Sequence, residues 1–357
     1  MIIGIDASRA FVPQATGTEF YSQNLIRALV AQETPARFRL YTRGDSPGEF
    51  WGRGQVELRP IPFPRMWTHL RLSAEMLAKP PDSLFVPAHV VPAIHPRASF
   101  VTVHDLGYLH FPQAHPFLSR LYLDLSTRWS ARVAKTVFAD SLATKHDLES
   151  YYRVPTEKII VAYPGFELTD LSRNANIISR YGLSKDYLLA VGTVQPRKNY
   201  ERLIEAFGAL NAGLELVIAG RRGWMAQRTY DRVRELGLRE RVKFLDYVPR
   251  GDLPALYGNA RAFVFPSLYE GFGFPVLEAM ASGAPVACSN SSSLPEVGGE
   301  AAIYFDPLDV GSMKQALERL INDSTLRQDL AARGRENVKR FTWDACAKIV
   351  IKELVRA

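Results

Sequence analysis

Residues 260–290 read "ARAFVFPSLYEGFGFPVLEAMASGAPVACSN". The stretch opens on an apolar, β-rich run that suits a buried central strand. A loop with two glycines follows, and then a segment that suits a helix. Pro275 fits the first turn of that helix, where a missing N–H costs nothing. The stretch closes on a second apolar run, "PVACSN". Strand, loop, helix and strand in this order make one βαβ unit, and such units build parallel sheets with right-handed crossovers. Two glutamates bracket the turn: Glu270 stands before the Gly271–Phe272–Gly273 loop, and Glu278 stands one turn into the helix.

The same alternation extends in both directions. Upstream of 165 the runs "MIIGID", "FRLYTR", "SLFVPA", "SFVTVHD", "KTVFADS" and "KIIVAYPG" read as strands separated by helical stretches such as "EFYSQNLIRALV". Past a polar stretch, "YLLAVGT", "LELVIAG", "VKFLDY", "AFVFPS" and "PVACSN" form a second series, with helices at "NYERLIEAFGAL", near 226–236 and at "FPVLEAMAS". The fold class is therefore α/β, with two doubly wound, Rossmann-like halves. We expect an N-terminal domain over 1–168 and a C-terminal domain over 169–341. The last helix, within 342–357, is expected to pack back on the first domain. Ligands of such sheets bind beyond the carboxyl ends of the strands, so two facing halves imply a cleft between them.

Composition narrows the partners. The 357 residues are 47% hydrophobic and 23% charged, as in ordinary globular proteins. No run approaches the ~18 apolar residues of a spanning helix, and the first residues lack the pattern of a secretion signal. Two cysteines, Cys288 and Cys346, stand outside any metal-binding spacing and suit a reduced, cytoplasmic protein. The net charge of +7 favours an anionic partner. Nucleic acid is the weakest choice, because no recognised nucleic-acid-binding pattern is present. Segments 63–79, "FPRMWTHLRLSAEMLAK", and 117–135, "FLSRLYLDLSTRWSARVAK", carry Arg, Lys, Trp and Leu at roughly helical spacing. Such helices lie at the inner membrane surface, or else pack on a core with a solvated basic face.

Several positions are suited to chemistry. The start of a helix near Gly273–Leu277 carries N–H donors and partial positive charge, which favour a phosphate. Carboxylates such as Glu270 and Glu278 accept two hydrogen bonds per oxygen and suit sugar hydroxyls; a helix cap and a solvated side chain are the plainer alternatives. In "VGTVQPRKNYERL" (191–203), Gly192 opens a strand-end loop and Arg197 and Lys198 precede the next helix. Two cations there suit a diphosphate. Near the N-terminus, Thr16 and Glu19 have the spacing of a capping box, and Gly17 and Thr18 present amides beside it. In "VTVHDLGY", His104 follows a strand and is placed to bond a hydroxyl or shuttle a proton. Ser141, Thr144 and Asp147 stand where a helix starts and read as caps. No Asp-x-Asp pair and no histidine cluster points to a bound metal.

The block "SLYEGFGFPVLEAMASGAPVACSNSSSLPEVGGEAAIYFDPLD" resembles the signature of the GT4 retaining glycosyltransferases, which have the GT-B fold. Glu270 and Glu278 match that family's E-x7-E motif. "GTVQPRKN" is similar to its diphosphate loop, "TGTEFYSQNL" to its N-terminal glycine loop, and "HDL" to its His-Asp strand end. "AYPGFE" at 162–167 departs from the Asn-Gly-Val-Asp of many members. The resemblance implies transfer of a hexose from a nucleotide sugar to a glycan or lipid-linked acceptor, with retention and without metal or other cofactor. It implies that Glu270 contacts the sugar, Glu278 the ribose, and Arg197 and Lys198 the diphosphate. Gly17, Thr18, Gly192, Gly271, Phe272, Gly273, Phe274 and Leu277 would line the donor, and His104 would join the catalytic set. The style of the block is similar to bacterial mannosyl- and rhamnosyltransferases of surface polysaccharide assembly, which suggests GDP-mannose as donor. An epimerase on the same fold and a non-catalytic sugar-nucleotide binder are the rival readings. A dinucleotide dehydrogenase is disfavoured, because G-x-G-x-x-G does not follow the first strand.

Overall fold

Apolar runs that are buried on both faces pair as parallel strands under helices, and this chain does so twice. The structure, a computed structural model, describes residues 1–11, 17–44, 55–63, 66–88, 90–167, 176–183, 186–211 and 213–356. The chain divides into two units, Met1–Gly165 with Phe341–Ala357, and Phe166–Arg340.

In the first unit the strands are β1 (Ile2–Asp6), β2 (Arg37–Thr42), β3 (Val56–Pro60), β4 (Ser83–Val86), β5 (Ser99–Val103), β6 (Thr136–Ala139) and β7 (Ile159–Val161). They pair in the order β3-β2-β1-β4-β5-β6-β7, all parallel. β1 sets the register from the middle: Ile3 lies opposite Phe38 on one side and Ser83 on the other. The sheet is covered by two apolar layers, one on each face. One gathers Ile3, Ile5, Leu25 and Phe38 with Trp343, Cys346 and Val350 of the helix Trp343–Leu354. The other gathers Tyr41, Trp67, Leu84, Val101 and Val137. The C-terminal helix is thus part of the first unit's core. It starts where Thr342 accepts a hydrogen bond from the Ala345 amide at 3.1 Å.

The second unit holds β8 (Tyr187–Val191), β9 (Glu215–Ala219), β10 (Val242–Asp246), β11 (Ala262–Phe265), β12 (Val286–Ser289) and β13 (Ala302–Phe305). Their order is β10-β9-β8-β11-β12-β13, again all parallel. Both sheets reverse direction beside their first strand. In the second unit the switch lies between β8 and β11, and loops leaving such neighbours diverge around a crevice. The GxG-containing loop and the Arg197–Lys198 loop leave these two strands.

Two edge strands, β3 and β13, fall outside the strands read from sequence. β3 is "VELRP", with no residue fully buried and both end residues partly or fully exposed. β13 is only "AIYF". Of the expected capping box at the first helix, Thr16 lies outside the described residues; Glu19 is buried and paired with Arg9 at 2.9 Å. Ser141 does cap its helix, accepting from the Thr144 amide at 3.0 Å, while Asp147 meets His110 at 3.0 Å. Cys288 and Cys346 are free and buried, and burial pushes both thiols up. Among the described residues no helix is long and apolar enough to cross a membrane.

Candidate active site

The loop after β8 is shaped by its backbone. Gly192 has φ 143°, a conformation that L side chains rarely adopt, and a Cβ there would lie 3.0 Å from Lys198 Cε. The missing side chain is the space the lysine stem occupies. Pro196–Lys198 then form a single 3₁₀ turn, and Asn199, at φ 58°, redirects the chain into the helix Tyr200–Gly208. Asn199 is held by its amide, which donates to the Pro307 carbonyl at 2.7 Å. Tyr200 donates to the Gly192 carbonyl at 3.1 Å and ties the two ends of the loop together.

The loop after β11 meets it. Lys198 Nζ lies 2.6 Å from Glu270 Oε1, and Arg197 Nη1 lies 2.8 Å from Oε2. Arg197 also donates to the Tyr269 carbonyl at 2.6 Å, and the Lys198 ammonium sits 4.5 Å above the Phe265 ring. Lys198 and Glu270 are buried. Burial alone would raise the Glu270 carboxyl, but Lys198 and Arg197 beside it hold it down at about 2. The lysine is lowered by burial and by the neighbouring guanidinium. One carboxylate shared by two cations leaves one positive charge over, in a setting of low dielectric where that charge is felt strongly. Such a cluster is prepared for an anion.

Glu270 is fixed from behind by two serines that sequence reasoning did not single out. Ser292 bonds both the amide and the carbonyl of Glu270, and Ser293 donates to the carbonyls of Glu270, at 2.9 Å, and of Phe272. The only signal was the run "SNSSSLPE" after β12. Ser293→Ala is expected to lower stability by about 1–2 kcal/mol, because it strips donors from buried carbonyls. Chemical denaturation with an unchanged m-value would check this.

The helix Phe274–Ala281 begins directly after Gly273, whose φ is 128° and whose absent Cβ would meet Leu294 at 2.9 Å. Pro275 occupies its first turn as expected. Phe272 and Leu277 are buried, so what they can offer a ligand is backbone. Glu278 accepts a hydrogen bond from Tyr257 at 3.0 Å through Oε2. Burial raises its carboxyl against the opposing pull of Tyr257, Arg250 and Lys198. It is half-buried, and it feels Lys198 through charge without sharing in the ion pairs that Lys198 and Arg197 make with Glu270. In the second unit, then, the structure gathers Gly192, Arg197, Lys198, Glu270, Gly271, Phe272, Gly273, Phe274, Leu277 and Glu278 at the ends of two adjacent strands.

Family models match both halves of the chain. The glycosyl transferase 4-like domain matches residues 16–165 and the glycosyl transferases group 1 family matches residues 177–337. O-antigen chain mannosyltransferase B of Escherichia coli is 35% identical over 255 residues, covering 69% of this chain and 67% of that protein. The chain belongs to the group 1 glycosyltransferases. O-antigen chain mannosyltransferase RfbU of Salmonella typhimurium is 30% identical over 262 residues, covering 73% of this glycosyltransferase and 70% of that protein. Among solved structures, HepE of Anabaena in complex with UDP-glucose has a TM-score of 0.75 at 18% identity, covering 100% of this chain and 99% of its own. WaaG, a glycosyltransferase of lipopolysaccharide biosynthesis, has a TM-score of 0.70 at 18% identity, with 98% of each chain covered. These likenesses give the glycosyltransferase the GT-B fold, built of two Rossmann-like units.

The first unit of the glycosyltransferase holds the remaining expected residues. Gly17 and Thr18 open the helix Gly17–Val30, and among the described residues nothing lies within 4 Å of where a Gly17 Cβ would stand. His104 follows β5 and is buried. Its Nδ1 lies 2.7 Å from Asp140 and its Nε2 lies 3.1 Å from the Pro87 carbonyl. A carbonyl can only accept, so Nε2 carries a proton, and Nδ1 faces the Asp140 carboxyl. Burial would lower this imidazole, but Asp140 beside it raises it. Both ring nitrogens are thus engaged within the first unit, by Asp140 and by the Pro87 carbonyl. Among the described residues, no group of three or more His, Cys, Asp or Glu side chains is placed to hold a metal.

Proposed function

We propose that this glycosyltransferase moves a hexose from a nucleotide sugar to a glycan or lipid-linked acceptor in surface-polysaccharide synthesis, with retention and without a metal. Mannose from GDP-mannose is the leading donor, a choice supported by the names of the two O-antigen mannosyltransferases it resembles. The observation that carries the reading is the cluster of the half-buried Arg197 with the buried Lys198 and Glu270 beside the start of a helix. On this reading residues 169–341 take the donor and 1–168 the acceptor. Arg197 and Lys198 neutralise the diphosphate. Glu270 turns an oxygen to the sugar hydroxyls, and Glu278 takes the ribose with the oxygen that Tyr257 leaves unused. The backbone of Gly271 to Phe274 lines the sugar. Two free, buried cysteines suit work in the reducing cytoplasm.

In the reaction, the bond from the anomeric carbon to the diphosphate oxygen breaks while the acceptor oxygen bonds on the same face. The acceptor's proton passes to the departing oxygen, so no separate base is needed. Charge grows on the leaving group where the surplus cation stands, and preorganised donors of this kind contribute on the order of 3–4 kcal/mol each.

A thermal-shift screen against GDP, UDP, dTDP, ADP and their sugar conjugates, with EDTA present, tests the reading. A ligand at ~100 times its dissociation constant stabilises by about 2.7 kcal/mol. Shifts confined to GDP and GDP-mannose are expected. A shift with UDP or dTDP conjugates instead would keep the reaction class and overturn the donor. Stabilisation by none of them would remove the nucleotide-sugar reading.

A further inference from the structure

Tyr257 is buried, and its hydroxyl donates to Glu278 Oε2 at 3.0 Å. A buried tyrosine needs some polar partner for that hydroxyl. This one sits on a helix that is pinned from several sides. The helix is Leu253–Asn259, and Tyr187 of β8 donates to its Leu256 carbonyl at 2.6 Å. Asp252, just before the helix, accepts from Tyr181 at 2.7 Å and from Arg180 at 3.1 Å. The Tyr257 ring meets Phe263 of β11 edge-on, with centroids 5.1 Å apart. The hydroxyl therefore has a fixed place. Glu278 comes from a different helix, Phe274–Ala281, at the end of a side chain with several rotatable bonds. Its own helix fixes its Cα, and the Tyr257 hydroxyl fixes one end of its carboxylate.

The same contact sets what the carboxylate can do. Burial raises the Glu278 carboxyl, and Tyr257 opposes this first, ahead of Arg250 and Lys198. Tyr257 is itself raised well above the usual phenol range, by burial first and then by Glu278, so it stays a donor. Oε1 is left open among the described residues. We propose that Tyr257 is a positioning residue that makes this glycosyltransferase select ribonucleotides over deoxyribonucleotides. By holding Oε2 it turns Oε1 to the ribose, where one oxygen with two lone pairs accepts from the neighbouring 2′- and 3′-hydroxyls. The inference rests on the reading of Glu278 as the ribose ligand, and Tyr257 touches no substrate itself. Without its hydroxyl the carboxylate loses its hold at Oε2 and takes up a proton more readily, and a protonated oxygen is a poorer acceptor. The cations that face the diphosphate are left in place, since neither Arg197 nor Lys198 pairs with Glu278.

The test is titration calorimetry of the full chain with GDP, UDP and ADP, each beside its 2′-deoxy counterpart. The proteins are the wild type, Tyr257→Phe, Glu278→Ala and the double variant, with circular dichroism to confirm each fold. The wild type is expected to bind its ribonucleotide on the order of tenfold more tightly than the deoxy form, the loss typical of one hydrogen bond to a charged acceptor. Tyr257→Phe is expected to bind the ribonucleotide more weakly and the deoxy form much as before, so the preference shrinks several-fold. In the Glu278→Ala background, removing the hydroxyl is expected to change the preference no further, because Tyr257 acts through that carboxylate. An undiminished preference in Tyr257→Phe, or a further loss in the double variant, would overturn the inference and leave Glu278 on the ribose. Equal binding of both sugars by the wild type would overturn it by taking Glu278 off the ribose, while nucleotide binding stands. Binding of none of the six would overturn the nucleotide-sugar reading and this inference with it.

Discussion

Lys198→Ala is expected to fold normally and to lose ~10²–10³-fold in kcat, the loss typical when one preorganised charge donor is removed from a developing anion. The fold survives because Glu270 keeps a partner: Arg197 still holds Oε2 at 2.8 Å. No buried charge is orphaned. What disappears is the surplus positive charge, the part of the cluster not already cancelled by Glu270. KM for the donor rises less than kcat falls, since the charge on the leaving diphosphate is largest in the transition state. Lys198→Arg is expected to fail almost as badly. The lysine stem fills the space left by Gly192, 3.0 Å from where a Cβ would be, and a planar guanidinium does not fit there. Steady-state kinetics with the donor found in the thermal-shift screen would check both variants. A kcat within tenfold of wild type for Lys198→Ala would separate this residue from the leaving group.

How much of this was legible beforehand depends on what burial writes into a sequence. β8 and β11 are buried throughout, and their runs "YLLAV" and "AFVF" announce themselves. β3 and β13 lie at sheet edges, where one side faces no strand and the apolar run is broken by polar or short sequence; "VELRP" carries three residues that a strand reading rejects. The loops of the site were readable because glycine and proline state a backbone requirement directly, as at Gly192 and Pro275. What the residues of two loops do to one another was not. Nothing in the separation of 72 residues between Lys198 and Glu270 says that the amine and the carboxylate touch. Nor does "HDL" reveal Asp140, 36 residues on, which lies 2.7 Å from His104 Nδ1. The serines behind Glu270 were hidden for a plainer reason: serine is common in loops, and its role appears only when the carbonyls it bonds are known.

The pairing also changes what to expect of Glu270→Ala. Were Glu270 only a sugar ligand, its removal would cost activity and leave stability alone. Paired as it is, its loss leaves Lys198 buried next to Arg197 with no counter-charge, and breaking a buried pair from one side costs roughly 3–5 kcal/mol. Transfer is expected to vanish, and the unliganded variant to melt well below the wild type. Its deficit narrows as pH rises: a lysine whose folded-state value is depressed binds fewer protons folded than unfolded, so stability climbs with pH. The wild type behaves in the opposite region. Glu270, held at about 2, contributes stability above the ordinary carboxylate range and loses it as pH falls toward that value. A nucleoside diphosphate returns negative charge to the two cations, so it is expected to raise the melting temperature of Glu270→Ala by more than it raises the wild type's. Calorimetry of both proteins, with and without the diphosphate, would decide the matter. Equal melting temperatures and equal ligand shifts would mean that the cluster is not what holds the diphosphate.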